Sequence, residues 1–360
     1  MPLESQSNIN RRYDVDSIRV IALILLITYH IVIGFQPWGF WIGFITNKES
    51  IKDIWVFMEM INIWRIPILF VVSGMGVCFA MKKRNWIQIY QERTIRIFLP
   101  LLFGSFLVFP ICLFLRSIYY EEKFSYFPNP GHLWFLGNIM FYIVIFVPIF
   151  SFIIKNKNKI FVNFFSKIIN NPITLILFFS LPLIIETLIF KPESYAMFVG
   201  NAHGLVNGMI CFFIGFIFIL FQNSFWKTAK DLRFITLTAA LLLYLVRIFF
   251  YHSFNTDSST QILNVIKVIE STTWILAIFG FANIYLNKPS KLLSYLSKSV
   301  YPVYIIHFPV QYLFSSLFFP YNIHEFLKLF LLLFFTYGTC ILLFEIIKRI
   351  RWIKICFGIK

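Results

Sequence analysis

Ten stretches of this chain are each apolar over about twenty residues, the length that crosses the hydrocarbon core of a bilayer. They fall at 18–36, 55–80, 94–115, 133–154, 172–190, 203–222, 233–252, 262–286, 298–319 and 325–347. One water-soluble core cannot hide so much apolar surface. Of the 360 residues, 59% are hydrophobic and 13% charged, against about 25% charged in soluble domains. The expected fold is all-α: a polytopic, multi-pass membrane protein with about ten transmembrane helices. The first run is too long for a signal peptide and no small-residue cleavage pattern follows it, so it reads as a retained helix.

The net charge of +16 raises the question of nucleic acid. The distribution of the charge answers against it. One alternate set of connections carries Arg11, Arg12, Lys82, Lys83, Arg84, Arg93, Lys155, Lys157, Lys159, Lys167, Lys227, Lys230, Arg233, Lys288, Lys291, Lys298, Lys348, Arg349, Arg351, Lys354 and Lys360. The other carries Lys48, Lys52, Arg116, Lys123, Lys191 and Lys328, so the split is 21 to 6. Short loops rich in Lys and Arg stay cytoplasmic. Both termini are therefore expected inside, with 1–17 a cytoplasmic N-terminal segment, 18–347 one transmembrane domain and 348–360 a basic cytoplasmic tail. The five cysteines are scattered, with no CxxC pair, so neither a disulfide frame nor a zinc site is indicated.

Several ionisable residues remain at membrane depth: Arg19, Arg65, Arg96, Arg247, Lys267, Glu59, Glu186, Glu270, His30, His132, His203, His252 and His307. Such groups are costly in lipid and face a cavity or a partner. In the first helix, Arg19 and His30 are eleven residues apart, about three turns, so both project from one face across a rise of about 16 Å. Asp16 lies three before Arg19 on nearly the same face and is placed to pair with it. That face links a rim to mid-membrane.

In the second helix, Glu59 and Arg65 are six apart and do not face each other, so each is expected to pair across helices. Pro67 is expected to kink the helix. Ser73, Gly74 and Gly76 make a small surface that admits a backbone or a ligand. Arg93 and Arg96 are helical neighbours, and a pair of guanidinium forks suits a diphosphate. "GHLWFLGN" places His132 and Trp134 at a helix mouth, where Trp is also a common interfacial anchor. "YPVYIIHFP" puts His307, with Tyr304 three before it, near mid-membrane.

The ordered set "DSIR" with His30, "WRIPILFVVSG", Arg93-x-x-Arg96, "HLWFLGN" and "YPVYIIHFP" resembles the acyltransferase-3 family of membrane O-acyltransferases, in particular its glucan-biosynthesis protein C branch of glucan succinyltransferases. The set spans residues 14 to about 312. The resemblance implies transfer of an acyl group, acetyl or succinyl, from cytosolic acyl-CoA to a hydroxyl of a glycan or related acceptor on the far side of a cell membrane, the bacterial inner membrane. It implies that His30 is essential and that Arg93 and Arg96 engage CoA. Many members carry a fused extracytoplasmic domain. None is visible here, which leaves room for an extracytoplasmic partner protein.

Chemistry fits these residues. A sugar hydroxyl is a poor nucleophile, and a neutral imidazole can take its proton as it attacks a thioester. His30 is the expected base, with an acyl-histidine intermediate as a variant. His307 or Tyr304 would orient it or polarise the thioester oxygen. Arg93, Arg96 and Arg19, with Ser73, would hold acetyl-CoA or succinyl-CoA. Asp16 and Arg19 complete the catalytic set, and Glu59, Arg65, His132 and Trp134 are substrate-side candidates. A succinyl tail would want a further cation, Arg65 or Arg247. No metal is called for. The buried charges fit equally well a transporter or flippase for a glycan or lipid, without covalent chemistry.

Overall fold

The computed structural model describes residues 11–156, 158–250 and 257–359. Lys157, His252 and Lys360, which entered the sequence reading, lie outside the described residues, as do the first ten. The chain starts with α1 (Tyr13–Ile33) and α2 (Ile54–Met81). One long helical run follows: α3 (Trp86–Arg93), α4 (Leu99–Phe103) and α5 (Phe109–Tyr119), joined by π-helical turns at Thr94–Phe98 and Gly104–Val108. Then come α6 (Trp134–Lys155), α7 (Lys159–Asn170), α8 (Pro172–Phe190), α9 (Ala202–Leu220), α10 (Gln222–Phe250), α11 (Asp257–Tyr285), α12 (Lys291–Phe318), α13 (Glu325–Ile347) and α14 (Arg351–Cys356). Among the described residues there is no strand.

Nine of these runs are long and apolar enough to cross a membrane among the described residues. The difference from the expected ten is α12. It has 28 residues, but Ser299, Tyr304, His307, Gln311 and Ser315 are buried on it and dilute its apolar character. A helix shielded by protein can carry such a row. The third run is longer than expected, 34 residues from Trp86 to Tyr119. The 155–171 connection contains the short helix α7. The segment after 347 folds back: Phe357 is buried and meets Phe103 at 5.2 Å between ring centres.

Helices α1, α2, α9 and α11 bury most of their apolar windows, whereas α6, α10 and α13 bury under a third of theirs. The latter turn large apolar side chains such as Phe141, Phe234 and Phe334 outward. That surface would be untenable in water and is lipid-facing in a bilayer. Helices α2 and α9 pack backbone against backbone. A Cβ built on Gly74 would fall 1.9 Å from the carbonyl oxygen of Phe212, and one on Gly215 would fall 2.0 Å from that of Val71. The small surface around Gly74 thus receives another helix backbone.

Prolines organise the interior. A proline inside a helix leaves the carbonyl four residues earlier without its N–H partner, and lipid offers no substitute. Neighbouring side chains supply one in four cases. Ser271 donates to Ile63 (3.0 Å) behind Pro67, and Tyr126 to Phe106 (2.9 Å) behind Pro110. Tyr90 donates to Val144 (2.9 Å) behind Pro148, and His132 Nε2 to Ile305 (3.1 Å) behind Pro309. The last of these ties the start of α6 to α12 beside His307. Each π-helical turn ends two residues before a proline, Pro100 or Pro110. The widened turn moves the obstructed carbonyl out of the ring's way.

Candidate active site

A cavity of about 1270 Å³ runs alongside α1. Its α1 wall is Arg19, Leu23, Leu26, His30 and Ile33, with Tyr29 beside His30; the first five follow a spacing of four, three, four and three that makes one helix face. Asn62, Arg65, Leu69, Ser73 and Gly76 line it from α2, and Tyr301, Tyr304 and Phe308 from α12. Arg93, Arg96, His132 and Trp134 complete the parts that carry chemistry. One space therefore touches both the arginine rim and His30.

His30 and His307 meet. Their rings stack with centres 5.3 Å apart and planes 6° from parallel, and His30 Nδ1 is 3.1 Å from His307 Nε2. The proton positions follow from the partners. His307 Nδ1 lies 2.7 Å from the Tyr304 carbonyl, which can only accept, so Nδ1 carries the hydrogen. In a neutral ring His307 Nε2 is then an acceptor, and His30 Nδ1 must donate to it. The remaining nitrogen, His30 Nε2, then carries the ring's lone pair. Gln311 Nε2 donates to the His30 carbonyl (2.8 Å), satisfying one of the orphan acceptors at the end of α1. His132 stands edge-on to His307 at 5.0 Å between ring centres, and its ring stacks on Phe308 at 4.4 Å.

At the rim, Arg19, Arg93 and Arg96 are close enough to repel one another. Asp16 reaches Arg19 at 3.6 Å, and Glu92 reaches Arg96 at 3.1 Å while also holding Arg84. Arg93 Nε is buried with no partner among the described residues, and so is the hydroxyl of Tyr301 beside it. Three guanidiniums around two carboxylates leave the rim with an excess of positive charge. Among the described residues no group of three or more His, Cys, Asp or Glu is arranged to hold a metal ion.

The sequence profile of the acyltransferase domain family matches residues 12–345. The chain belongs to the acyltransferase-3 family. Over 371 aligned positions it is 23% identical to glucans biosynthesis protein C of Escherichia coli strain K12, covering 97% of this chain and 95% of that protein. The same protein in the K12 derivatives DH10B and MC4100/BW2952 matches equally. No solved structure gives a significant match. The chain is thus an acyl-transferring enzyme with a multi-pass membrane architecture.

Among the expected residues of this acyltransferase, Asp16 and Glu59 meet the kind of partner the sequence implied but stand off the cavity, and two others are engaged by backbone carbonyls. Asp16 is bound to Arg11 (2.7 Å) and Arg19 at the rim and does not line the cavity, because three helical turns separate it from the imidazole. Glu59 also lies off the cavity: it pairs with Arg247 (3.2 Å), which takes Glu270 by two further bonds of 2.8 and 3.2 Å. Three of the five charges on which a transporter reading rested are thus bound to one another. The Tyr304 hydroxyl is committed to the His132 carbonyl, so Tyr304 acts on His307 through its own carbonyl instead. Ser73 Oγ returns to the Leu69 carbonyl (2.7 Å) although the residue lines the cavity. Tyr29, Asn62, Tyr301 and Gln311 were missed. Gln311 and Tyr301 extend the polar row of α12 at helical spacing from His307 and Tyr304, which was a readable signal. Tyr29 and Asn62 gave none.

Proposed function

We propose that this acyltransferase carries a short acyl group, acetyl or succinyl, from cytosolic acyl-CoA to a hydroxyl of a glycan or related acceptor at the opposite membrane face. The observation that carries the reading is the single cavity that joins the Arg19, Arg93 and Arg96 rim to His30, whose Nε2 carries the ring's lone pair. The 21-to-6 split of basic residues supports a cytoplasmic rim, in a bacterial inner membrane. The name of the similar Escherichia coli protein, glucans biosynthesis protein C, supports a glycan acceptor.

In this reading the CoA phosphates rest on the rim arginines and the pantetheine arm runs inward past Ser73 and Gly76. The acceptor oxygen attacks the thioester carbon while its proton passes to His30 Nε2. The carbon–sulfur bond breaks, and the imidazolium returns the proton to the thiolate. The products are the ester and free CoA thiol, with His30 restored. His307 stabilises the transient imidazolium by accepting from Nδ1.

Membranes containing the protein, incubated with acetyl-CoA or succinyl-CoA labelled in the acyl group, are expected to move label into base-labile ester on envelope glycan. No labelled ester from either donor defeats the proposal. The rim has its own test. Arg93→Ala and Arg96→Ala should each raise KM for acyl-CoA about tenfold or more, the cost of a charged hydrogen bond, with kcat little changed. The increase should shrink with a 3′-dephospho-CoA thioester if the arginine concerned holds that phosphate. An unchanged KM in both variants would remove the rim from donor binding.

A further inference from the structure

Glu186, His203 and Lys267 are ionisable residues at membrane depth with no part in the scheme above, and they gather around one loop. Arg247, by contrast, is taken by Glu270 and Glu59, and Arg65 lies 3.7 Å over the Tyr29 ring with no carboxylate partner among the described residues. The loop joins α8 to α9, and its Ser194, Ala196, Met197, Phe198 and Val199 line the cavity. The charge split of the connections puts it on the face opposite the arginine rim, the acceptor side. Its first half is tied to α11. Asn264 donates to the Pro192 carbonyl (2.7 Å) and accepts from the Tyr195 N–H (3.0 Å), and Lys267 Nζ stands 3.4 Å from Ser194 Oγ. Its second half rests on the start of α9. Asn201 donates to the Met197 carbonyl (2.7 Å), and His203 Nε2 lies 2.9 Å from the Tyr195 carbonyl. Phe198 stacks on the His203 ring with centres 5.6 Å apart. On its other side, His203 Nδ1 lies 2.7 Å from Glu186 Oε1, while Thr187 Oγ1 donates to Glu186 Oε2 (3.3 Å). Glu186 and His203 are both buried.

These hydrogen bonds fix a proton count. A carbonyl only accepts, so His203 Nε2 carries a hydrogen toward Tyr195. A second proton then lies between Nδ1 and Glu186, on the ring or on the carboxyl, because two acceptors cannot bond each other across 2.7 Å. Without that proton the ring takes its other tautomer, with Nδ1–H facing the carboxylate. The Glu186 bond survives, but Nε2 now turns a lone pair on the Tyr195 carbonyl and the loop loses this anchor. We propose that Glu186 and His203 are positioning residues that hold Tyr195–Val199 as the acceptor-side wall of the cavity, and that they do so only while the pair shares this proton. This rests on the acyl-transfer reading above and adds regulation of the same site. The titratable side chains facing Glu186 are Tyr195 and Cys211, neither of them a cation that could replace the proton. The charged groups of α10 and α11 are engaged with one another, with Glu59 or with Ser194.

Purified protein in nanodiscs, with acyl-labelled acetyl-CoA and succinyl-CoA as donors and envelope glycan titrated as acceptor, is assayed from neutral to alkaline pH. The wall needs the proton, so wild-type kcat/KM for the acceptor should be full at neutral pH and fall as pH rises, roughly tenfold, the worth of one hydrogen bond. KM for the donor should hold. In Glu186→Gln the amide N–H donates to Nδ1 in place of the proton and the amide oxygen still accepts from Thr187, so the variant should work at neutral pH and lack the alkaline fall. His203→Phe removes the anchor and should show the low acceptor kcat/KM at every pH. At alkaline pH, amide hydrogen exchange over Ala196–Val199 should be faster in wild type than in the Gln variant, a readout independent of turnover. The same alkaline fall in wild type and Gln variant, or none in wild type, overturns the proposal. So does full activity in His203→Phe, or a Gln variant as impaired at neutral pH as His203→Phe. If His203→Phe fails to fold, the wild-type and Gln profiles still decide. If no labelled ester forms at any pH, the acyl-transfer reading itself falls; if ester forms with superimposable profiles, only the role of the pair does.

Discussion

His30→Ala is expected to lower acyl transfer by about 10²- to 10⁴-fold, the usual contribution of a positioned base, or about 3–5 kcal/mol in the barrier. Its melting temperature and membrane insertion should stay near wild type. The ring is held by one side-chain hydrogen bond, to His307, while the Gln311 contact is to the backbone carbonyl and survives the substitution. His307→Ala should cost less than His30→Ala, because His307 has both nitrogens engaged and acts by fixing the tautomer of its neighbour. Rates on intact and variant protein at equal folded fraction check both. Turnover by His30→Ala at the wild-type level removes His30 from the chemistry. A greater loss in His307→Ala would transfer the base role to His307 and reverse the direction of the hydrogen-bond chain.

The second large effect is structural. Gly215→Leu is expected to abolish the folded protein, and Gly74→Ala and Gly215→Ala to lower its melting temperature markedly. The new Cβ would stand 1.9–2.0 Å from a backbone oxygen of the facing helix. A flexible side chain could yield to such an intrusion, whereas a helix carbonyl cannot without α2 and α9 moving apart. Overpacking of a core commonly costs about 1–3 kcal/mol, and a backbone clash belongs at the top of that range or beyond it. Because α2 carries Arg65, Ser73 and Gly76 on the cavity wall, activity should fall along with stability. Gly338 on α13 is the control: no heavy atom lies within 4 Å of its added Cβ. Gly338→Ala should be neutral or stabilising by up to about 1 kcal/mol. Fluorescence-detected size exclusion and thermal melts read all four variants. Wild-type melting in both alanine variants would mean that the two backbones do not touch.

Much of this architecture was legible before any coordinates. Apolar runs of membrane length follow from composition alone, and α8 begins and ends at Pro172 and Phe190, where the sequence placed its fifth span. The helical repeat put Arg19 and His30 on one face. α12 is less apolar than a lipid-exposed helix because its polar row is sheltered by protein. Asp16 and Glu59 meet the partners that their positions called for, and those partners hold them off the cavity.

By itself the sequence determined which segments span, which faces are polar, and which residues interrupt the helices, since these depend on neighbours a few positions away. Only the tertiary structure decided which intramembrane arginine lacks a carboxylate, which side chains answer four of the prolines, and which imidazole nitrogen carries the lone pair. Those outcomes depend on partners far apart in the chain, such as His30 with His307, Arg247 with Glu59, and His132 with Ile305. Hydrogen bonds and ion pairs are won or lost within about 3 Å, a distance that packing sets and local periodicity does not.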